Sequence, residues 1–238
     1  LSAFFKTWGA DYTLVTKNFA YVFKYSMKPV KDTLLIAVLA APIGGLLSMI
    51  VAYLVVRKHF FGRRFVEYVS MLGMAVPGTV FGLGYILTFN TKPLVLTNTL
   101  WILVIVLVMT RLPVGVRSGM SALRQIDPNI EEAATDLGAS TTKVFTSITL
   151  PLIRPAFYTG LVFSFVKSMT AISAVIFLVS ANYNLLTVRV MQHVDKGQFG
   201  YAAALSVILM VIVFVAVGIM NLILKRLGHS NGRTNMLQ

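Results

Sequence analysis

No charged side chain occurs between Thr33 and Val56, a stretch of 24 residues, and none between Tyr68 and Thr91, another 24. As a helix rising about 1.5 Å per residue, either stretch reaches about 36 Å, more than the hydrocarbon thickness of a bilayer at about 30 Å. The chain therefore reads as a membrane protein, and composition agrees. Of its 238 residues 57% are hydrophobic and 12% charged, where soluble domains carry about 25% charged residues. A single-domain soluble enzyme is disfavoured on that balance. Lipid offers the backbone no hydrogen bonds, so each span is expected to be an α-helix that satisfies its own amides.

Five spans are expected. The first is Thr33 to Val56; the second is Tyr68 to Thr91, kinked at Val76-Pro77-Gly78 and closely packed through Gly78 and Gly82. Pro93 to Thr110, 18 uncharged residues ended by Arg111, is the third and shortest. The fourth runs from Ala156 to about Ser180, apolar except for Lys167, and the fifth from about Ala202 to Leu224. Twelve basic residues orient the set: Arg57, Lys58, Arg63 and Arg64 between spans one and two, Arg111, Arg117, Arg124, Lys143 and Arg154 between three and four, and Lys225, Arg226 and Arg233 after five. The opposite loops hold Lys92, Arg189 and Lys196, so the richer side is expected to be cytoplasmic. Residues 1–32 then form an extracytoplasmic N-terminal segment, 33–226 the transmembrane domain and 227–238 a cytoplasmic tail. Lys6, Lys17, Lys24, Lys28 and Lys31 run against the rule in that outer segment. With Leu1 at its start and no apolar signal-peptide core, the chain is expected to be a portion of a longer polypeptide whose upstream part crosses the membrane first.

The net charge of +13 comes from basic residues that lie mainly between apolar runs, which points to topology rather than nucleic acid. No Cys is present, so disulfides, thiolate metal sites and Cys nucleophiles are excluded. No P-loop pattern occurs, and the chain is not expected to hydrolyse ATP itself. The carboxylates Asp11, Asp32, Glu67, Asp127, Glu131, Glu132, Asp136 and Asp195, like His59, His193 and His229, fall away from the centres of the proposed spans. A proton-coupled carrier needs an intramembrane acid or His, and intramembrane hydrolases need Ser with His, paired Asp or a metal. No catalytic, metal or cofactor site is therefore expected. The 11 Met residues read as packing rather than a metal pathway.

The connection from Asp127 to Pro151 is the most patterned of the loops. Asp127 suits a helix cap before Pro128, with Glu131 and Glu132 near the positive end of the dipole. Ile130, Ala133, Ala134 and Leu137 recur at helical spacing and give one small-sided apolar face. Gly138 suits the stop, and Ser140 or Thr141 the start of a second short helix carrying Val144, Phe145 and Ile148 until Leu150-Pro151 ends it. Such a unit between spans either lies on lipid or docks into a partner's groove; alanines and acids in place of bulky residues and lysines favour docking.

Glu132-Ala133-Ala134, then Gly138, then Ile148-Thr149-Leu150-Pro151 resembles the EAA loop of ABC importer permeases with a MetI-like fold. Asp32-Thr33-Leu34-Leu35 and Val76-Pro77-Gly78 are similar to the same family, and Trp8-Gly9-Ala10-Asp11-Tyr12-Thr13, Arg63-Arg64-Phe65 and Ser168-Met169-Thr170-Ala171-Ile172-Ser173 resemble the second half of fused iron(III) permeases. The resemblance implies an all-α, multi-pass permease core of about five transmembrane helices in a bacterial inner membrane, with a cytoplasmic coupling helix. It implies alternating access driven by partner ATP-binding subunits that hold ATP and Mg, a second permease half, and a periplasmic solute-binding protein. Glu132, Ala133, Ala134, Gly138, Ile148, Leu150 and Pro151 would form or shape the ATPase contact. Ferric iron is the expected solute, with phosphonate, thiamine, polyamine or inorganic anions as alternatives, and an ion-coupled carrier or channel as the alternative of another class.

A lysine inside a span costs about 2.5 to 3.5 kcal/mol even on lenient insertion scales, so Lys167 is expected to face protein or water. Ser164, Lys167, Thr170, Ala171 and Ala174 follow helical spacing and are expected to border a translocation path, with Pro77 and Gly78 as further candidates through freed backbone carbonyls. Burial of the lysine against a carbonyl or a partner half, and a plain packing kink at Pro77, are the competing readings.

Overall fold

The computed structural model describes residues 2–7 and 11–230, with the side chains of 2–6 and 11–222. Trp8-Gly9-Ala10, the side chains of Lys225, Arg226 and His229, and Arg233 with the rest of the end of the tail lie outside the described residues. A short antiparallel pair, β1 (Phe5–Thr7) and β2 (Asp11–Leu14), precedes α1 (Lys17–Tyr25). The chain then forms α2 (Met27–Arg57), α3 (Arg63–Ala75), α4 (Gly78–Thr88) and α5 (Leu100–Arg124). Next come α6 (Pro128–Asp136) and α7 (Thr141–Val144), a π-helical turn (Phe145–Thr149), α8 (Leu150–Met169), α9 (Leu186–Asp195) and α10 (Phe199–Ser230). Four helical stretches are long and apolar enough to cross a membrane, and α3 with α4 makes a fifth if that bent pair is one span. The expected all-α bundle of about five spans is what the chain forms.

Register between helices defines the bundle. Gly44 meets Val108, Ser48 meets Leu112 and Gly115, and Ala52 meets Gly119, so residue numbers climb together and α2 and α5 run parallel. Small residues permit this approach: a Cβ on Gly119 would stand 2.8 Å from that of Ala52. Ser48 Oγ donates to Gly44 O at 2.6 Å and Thr33 Oγ1 to Pro29 O at 2.7 Å, which is how hydroxyls are tolerated inside an apolar helix. Antiparallel to both runs α8, since Gly45 meets Phe157, Tyr53 meets Phe145, and Ala37 and Ala41 cluster with Phe165 and Met169. Because α2 and α5 are parallel, residues 58–99 must climb back along the bundle, and α3 and α4 make that return with a bend of 109° at Val76-Pro77. The kink expected at Pro77 is thus a turn of more than a right angle rather than a gentle bend.

Four expectations change. The third span does not end at Thr110: α5 continues through Arg111 and Arg117 to Arg124, so these two cations are in a span and not in a loop. Pro113, inside the helix, did not stop it. The fourth span neither begins at Ala156 nor reaches Ser180. Leu150-Pro151 does not end the preceding helix either, because the π-helical turn carries α7 into α8 and one helical stretch runs Thr141–Met169. Pro151 directly follows the π-helical turn, where the regular ladder of amides is already interrupted and the helix can continue without its N–H. Beyond Met169 the chain turns through residues 170–185, so Ala171 and Ala174 leave the helical stripe and are buried in the core instead. Helices α2 and α10 run continuously across the expected boundaries at 32/33 and 226/227.

At the end where α2 begins, Tyr21 stacks on Tyr201 with ring centroids 4.1 Å apart, and the His193 ring stands edge-on to both. Burial pushes the His193 imidazole below its ordinary pKa, although Nδ1 lies 2.7 Å from Gln198 Oε1.

Candidate functional site

At the opposite end, where α2 and α5 finish and α8 begins, the patterned loop folds much as its residues dictate. The Asp127 carboxylate accepts the Asn129 amide at 3.0 Å and caps α6, with Pro128 first in the helix. Past its end Gly138 takes φ 88°. The Gly138 amide donates to Thr135 O at 2.9 Å and the Ala139 amide to Ala134 O at 3.0 Å, the paired closure of a Schellman turn. Ser140 Oγ accepts the Lys143 amide at 3.4 Å and starts α7. No residue of α6 is buried: Glu132, Ala133 and Gly138 are exposed, Ala134 is half-buried, and Leu137 keeps 90% of its surface. The apolar face expected from Ile130, Ala133, Ala134 and Leu137 thus has little cover among the described residues. Ile148, Leu150 and Pro151 stand apart from it, half-buried in the π-helical turn and the first turn of α8.

What holds α6 to the bundle was not visible in the sequence. Arg57, last in α2, places Nε 3.1 Å from Glu131 Oε1, and both side chains are almost buried, at 10% and 14% exposure. Its Nη2 donates to Leu123 O and Ile126 O, each at 2.9 Å, satisfying carbonyls left over where α5 ends. Thr149, fully buried, donates its hydroxyl to the same Glu131 oxygen at 2.8 Å. Glu131 therefore ties α6 to the ends of α2 and α5 and to the turn before α8, while Glu132 beside it points to solvent. The two acids are adjacent and chemically identical, so sequence offered no basis for separating them.

The residues expected along a path divide into two groups. Pro77 is exposed, and Gly78 packs its Cα against Ser173 and Ala174, while a Cβ at Gly82 would stand 2.6 Å from Ala174 O. The bend between α3 and α4 is therefore filled by the 170–178 turns, which is close backbone packing. Ser164 and Lys167 instead lie on the α5 and α8 seam. Lys167 is exposed in the last turn of α8, and Thr170, which caps that helix, is exposed beside it. Met169 packs level with Ala37 and Ala41, so α8 ends inside the bundle, with Lys167 in its last turn rather than midway along a span that continues to Ser180. Arg111, twelfth of the 25 residues of α5, reaches across so that Nη2 donates to Lys167 O at 3.2 Å. In the sequence alone Arg111 marks the end of a span; its recurrence with Ser118 and Gln125 at steps of seven is the signal that α5 continues.

Comparison with known proteins adds three findings. A family model described as "Binding-protein-dependent transport system inner membrane component" matches residues 44–229. The ferric transport system permease protein FbpB of Actinobacillus pleuropneumoniae is 39% identical over 220 residues, which cover 90% of this chain and 32% of that protein. A putative ferric transport system permease protein, FbpB 1 of Haemophilus influenzae, is 43% identical over 185 residues, 76% of this chain and 29% of its own. The chain thus spans about a third of the length of these curated relatives. Among solved structures, a bacterial ABC transporter involved in the import of the acidic polysaccharide alginate superposes with a TM-score of 0.79 at 17% identity, over 94% of this chain and 86% of that one. At that identity the likeness speaks to the fold alone.

Proposed function

Because the chain belongs to the family of binding-protein-dependent transport system inner membrane components, we propose that it is the ATPase-coupled permease half of an importer for ferric iron. It is a multi-pass inner-membrane protein with the MetI-like permease fold. The end carrying α6 faces the cytoplasm, in keeping with Arg57, Lys58, Arg63, Arg64, Arg124 and Lys143 gathered there. The end carrying β1, β2, α1 and α9 faces the periplasm, where a solute-binding protein delivers iron. A second permease half completes the path, and partner subunits bind ATP with Mg and hydrolyse it; this chain makes and breaks no bond.

The observation that carries this reading is α6: a capped, small-sided helix with an uncovered face, fastened by Glu131 and Arg57 to the ends of three spans. Glu132, Ala133 and Ala134 offer a surface shallow enough to sit deep in a groove, and Gly138 turns the chain out of it. When the ATPase subunits close, displacement of α6 is passed through Glu131 into α2, α5 and α8. The likeness to FbpB proteins supports iron over the other solutes.

The test uses the complete transporter, with its ATPase and binding-protein subunits, in proteoliposomes. ATP-dependent uptake of ferric iron is expected, with a single cysteine at Ser140 reacting from the ATPase side and one at Asn182 from the opposite side. Reaction of both from one side, or uptake that ignores ATP and follows an ion gradient, overturns the reading.

A further inference from the structure

The seam between α5 and α8 holds two cations and no carboxylate. Arg111 and Lys167 sit in spans, and neither α5, α8 nor the 170–185 segment contains an Asp or Glu. The ion pairs formed among the described residues lie elsewhere, at Lys6 with Asp11 and Arg57 with Glu131. The Arg111 guanidinium is held by one hydrogen bond, from Nη2 to Lys167 O, and its buried Nε has no partner among the described residues. The Lys167 ammonium rests 5.7 Å over the ring of Phe163, and Phe163 lines the same crevice as Arg111 and Ser164. From there a groove continues along the seam past Ser118, Thr159 and Gln125 toward the loop that carries α6.

Two cations with no carboxylate beside them among the described residues create a positive potential, and a bare trivalent iron ion would be repelled by it. Among the described residues no group of three His, Asp or Glu side chains could ligate iron. Oxygen anions are another matter: a guanidinium presents a planar fork of donors that fits carboxylate and phosphate, and an ammonium adds a point charge. We propose that Arg111 and Lys167 together form a binding site for the oxyanion, carboxylate or phosphate, that accompanies ferric iron, so that the metal crosses this seam inside an anionic ligand shell. This rests on the ferric reading above and adds the chemical form of the solute.

Two measurements on the complete transporter test it. Equilibrium dialysis of the purified complex against radiolabelled citrate and radiolabelled phosphate is expected to detect binding of at least one, which identifies the source of the oxyanion. Lys167→Met should weaken that binding at least tenfold and Lys167→Arg less than threefold, and Arg111→Gln against Arg111→Lys should repeat the contrast. Uptake of labelled iron in proteoliposomes, supplied as its citrate or phosphate complex, should fall at least tenfold in Lys167→Met, while Lys92→Met in the opposite-end loop leaves it unchanged. Should Arg111→Gln fail to assemble, the exposed Lys167 carries the test alone. Unchanged oxyanion binding in Lys167→Met overturns the proposal, as does a parent complex that binds neither anion while Lys167→Met loses the partner half, which would mean that the cation pairs with a carboxylate there. Charge-dependent oxyanion binding without any iron uptake leaves the site standing and removes iron as its cargo.

Discussion

The loop from Asp127 to Pro151 and the seam around Arg111, Lys167 and residues 170–185 are built in opposite ways. Most of the loop is closed by bonds between residues two to five apart: Asp127 to Asn129, Gly138 to Thr135, Ala139 to Ala134, Lys143 to Ser140. Apart from Glu131, Val144 and Thr149, which are buried or nearly so, most of its side chains are half-buried or exposed, so beyond the Glu131 anchor little else decides its shape. The seam depends on residues distant in the chain: Gly82 against Ala174, Arg111 against Lys167 O, and the Leu186 amide donating to Thr33 Oγ1 at 2.8 Å. A surface that must be recognised by a partner can be encoded locally. A passage through a membrane depends on the register of helices far apart in sequence.

Glu131 is where the two kinds of construction meet, and its loss has the largest expected effect. Glu131→Ala leaves the Arg57 guanidinium nearly buried with its ion partner gone and Thr149 without its acceptor. Removing one member of a buried pair costs about 3 kcal/mol. Glu132→Ala, one residue on and exposed, should stay within about 0.5 kcal/mol in stability while weakening the ATPase contact. Thermal unfolding of the solubilised transporter, read beside protease nicking within 127–140, separates them. Equal destabilisation by the two substitutions would mean that the loop is not anchored through Glu131.

In the seam the corresponding contrast is Gly82 against Gly84, two residues apart on α4. A Cβ at Gly82 meets Ala174 O at 2.6 Å, a backbone atom that cannot swing away, whereas nothing lies within 4 Å of one at Gly84. Overpacking of this kind costs about 1 to 3 kcal/mol, so Gly82→Ala should lower the melting temperature. Gly84→Ala should be neutral or slightly stabilising, since alanine favours an exposed helix by up to about 1 kcal/mol. If the two behave alike, the 170–178 turns do not fill the bend between α3 and α4.

The same division explains what could be read from the sequence. The uncharged runs located α2 and α10 to within about six residues at each end, because lipid-crossing length is a property of a single segment. Asp127, Pro128 and Gly138 announced α6 because capping acts within a turn or two. Charge is a poor guide at Arg111: an arginine usually marks the end of a span, yet α5 carries it at mid-length. Pro151 is no better a guide, since a π-helical turn just before it lets the helix continue. Choosing Glu131 over Glu132 required knowing that Arg57, 74 residues away, ends beneath it.

The smallest effect on stability, and the sharpest on coupling, belongs to Gly138. Its φ of 88° lies in the left-handed region, and no atom stands within 4 Å of the place a Cβ would take, so any penalty is one of backbone conformation rather than of space. Valine, β-branched, resists that conformation at a cost of roughly 1 kcal/mol or more, whereas asparagine is the residue other than glycine that most readily adopts it. Gly138→Val should therefore loosen the turn after α6 and re-aim the helix while leaving the spans intact, because neither the Arg57 and Glu131 pair nor any packing of α2, α5 and α8 involves this position. In the assembled transporter, ATPase stimulation by iron-loaded binding protein should fall for Gly138→Val and be largely kept for Gly138→Asn, with melting temperatures within a few degrees of the parent. If valine and asparagine impair coupling equally, the position matters for something other than its backbone angle. If neither impairs it, the local geometry that makes this loop so legible is not what its partner recognises.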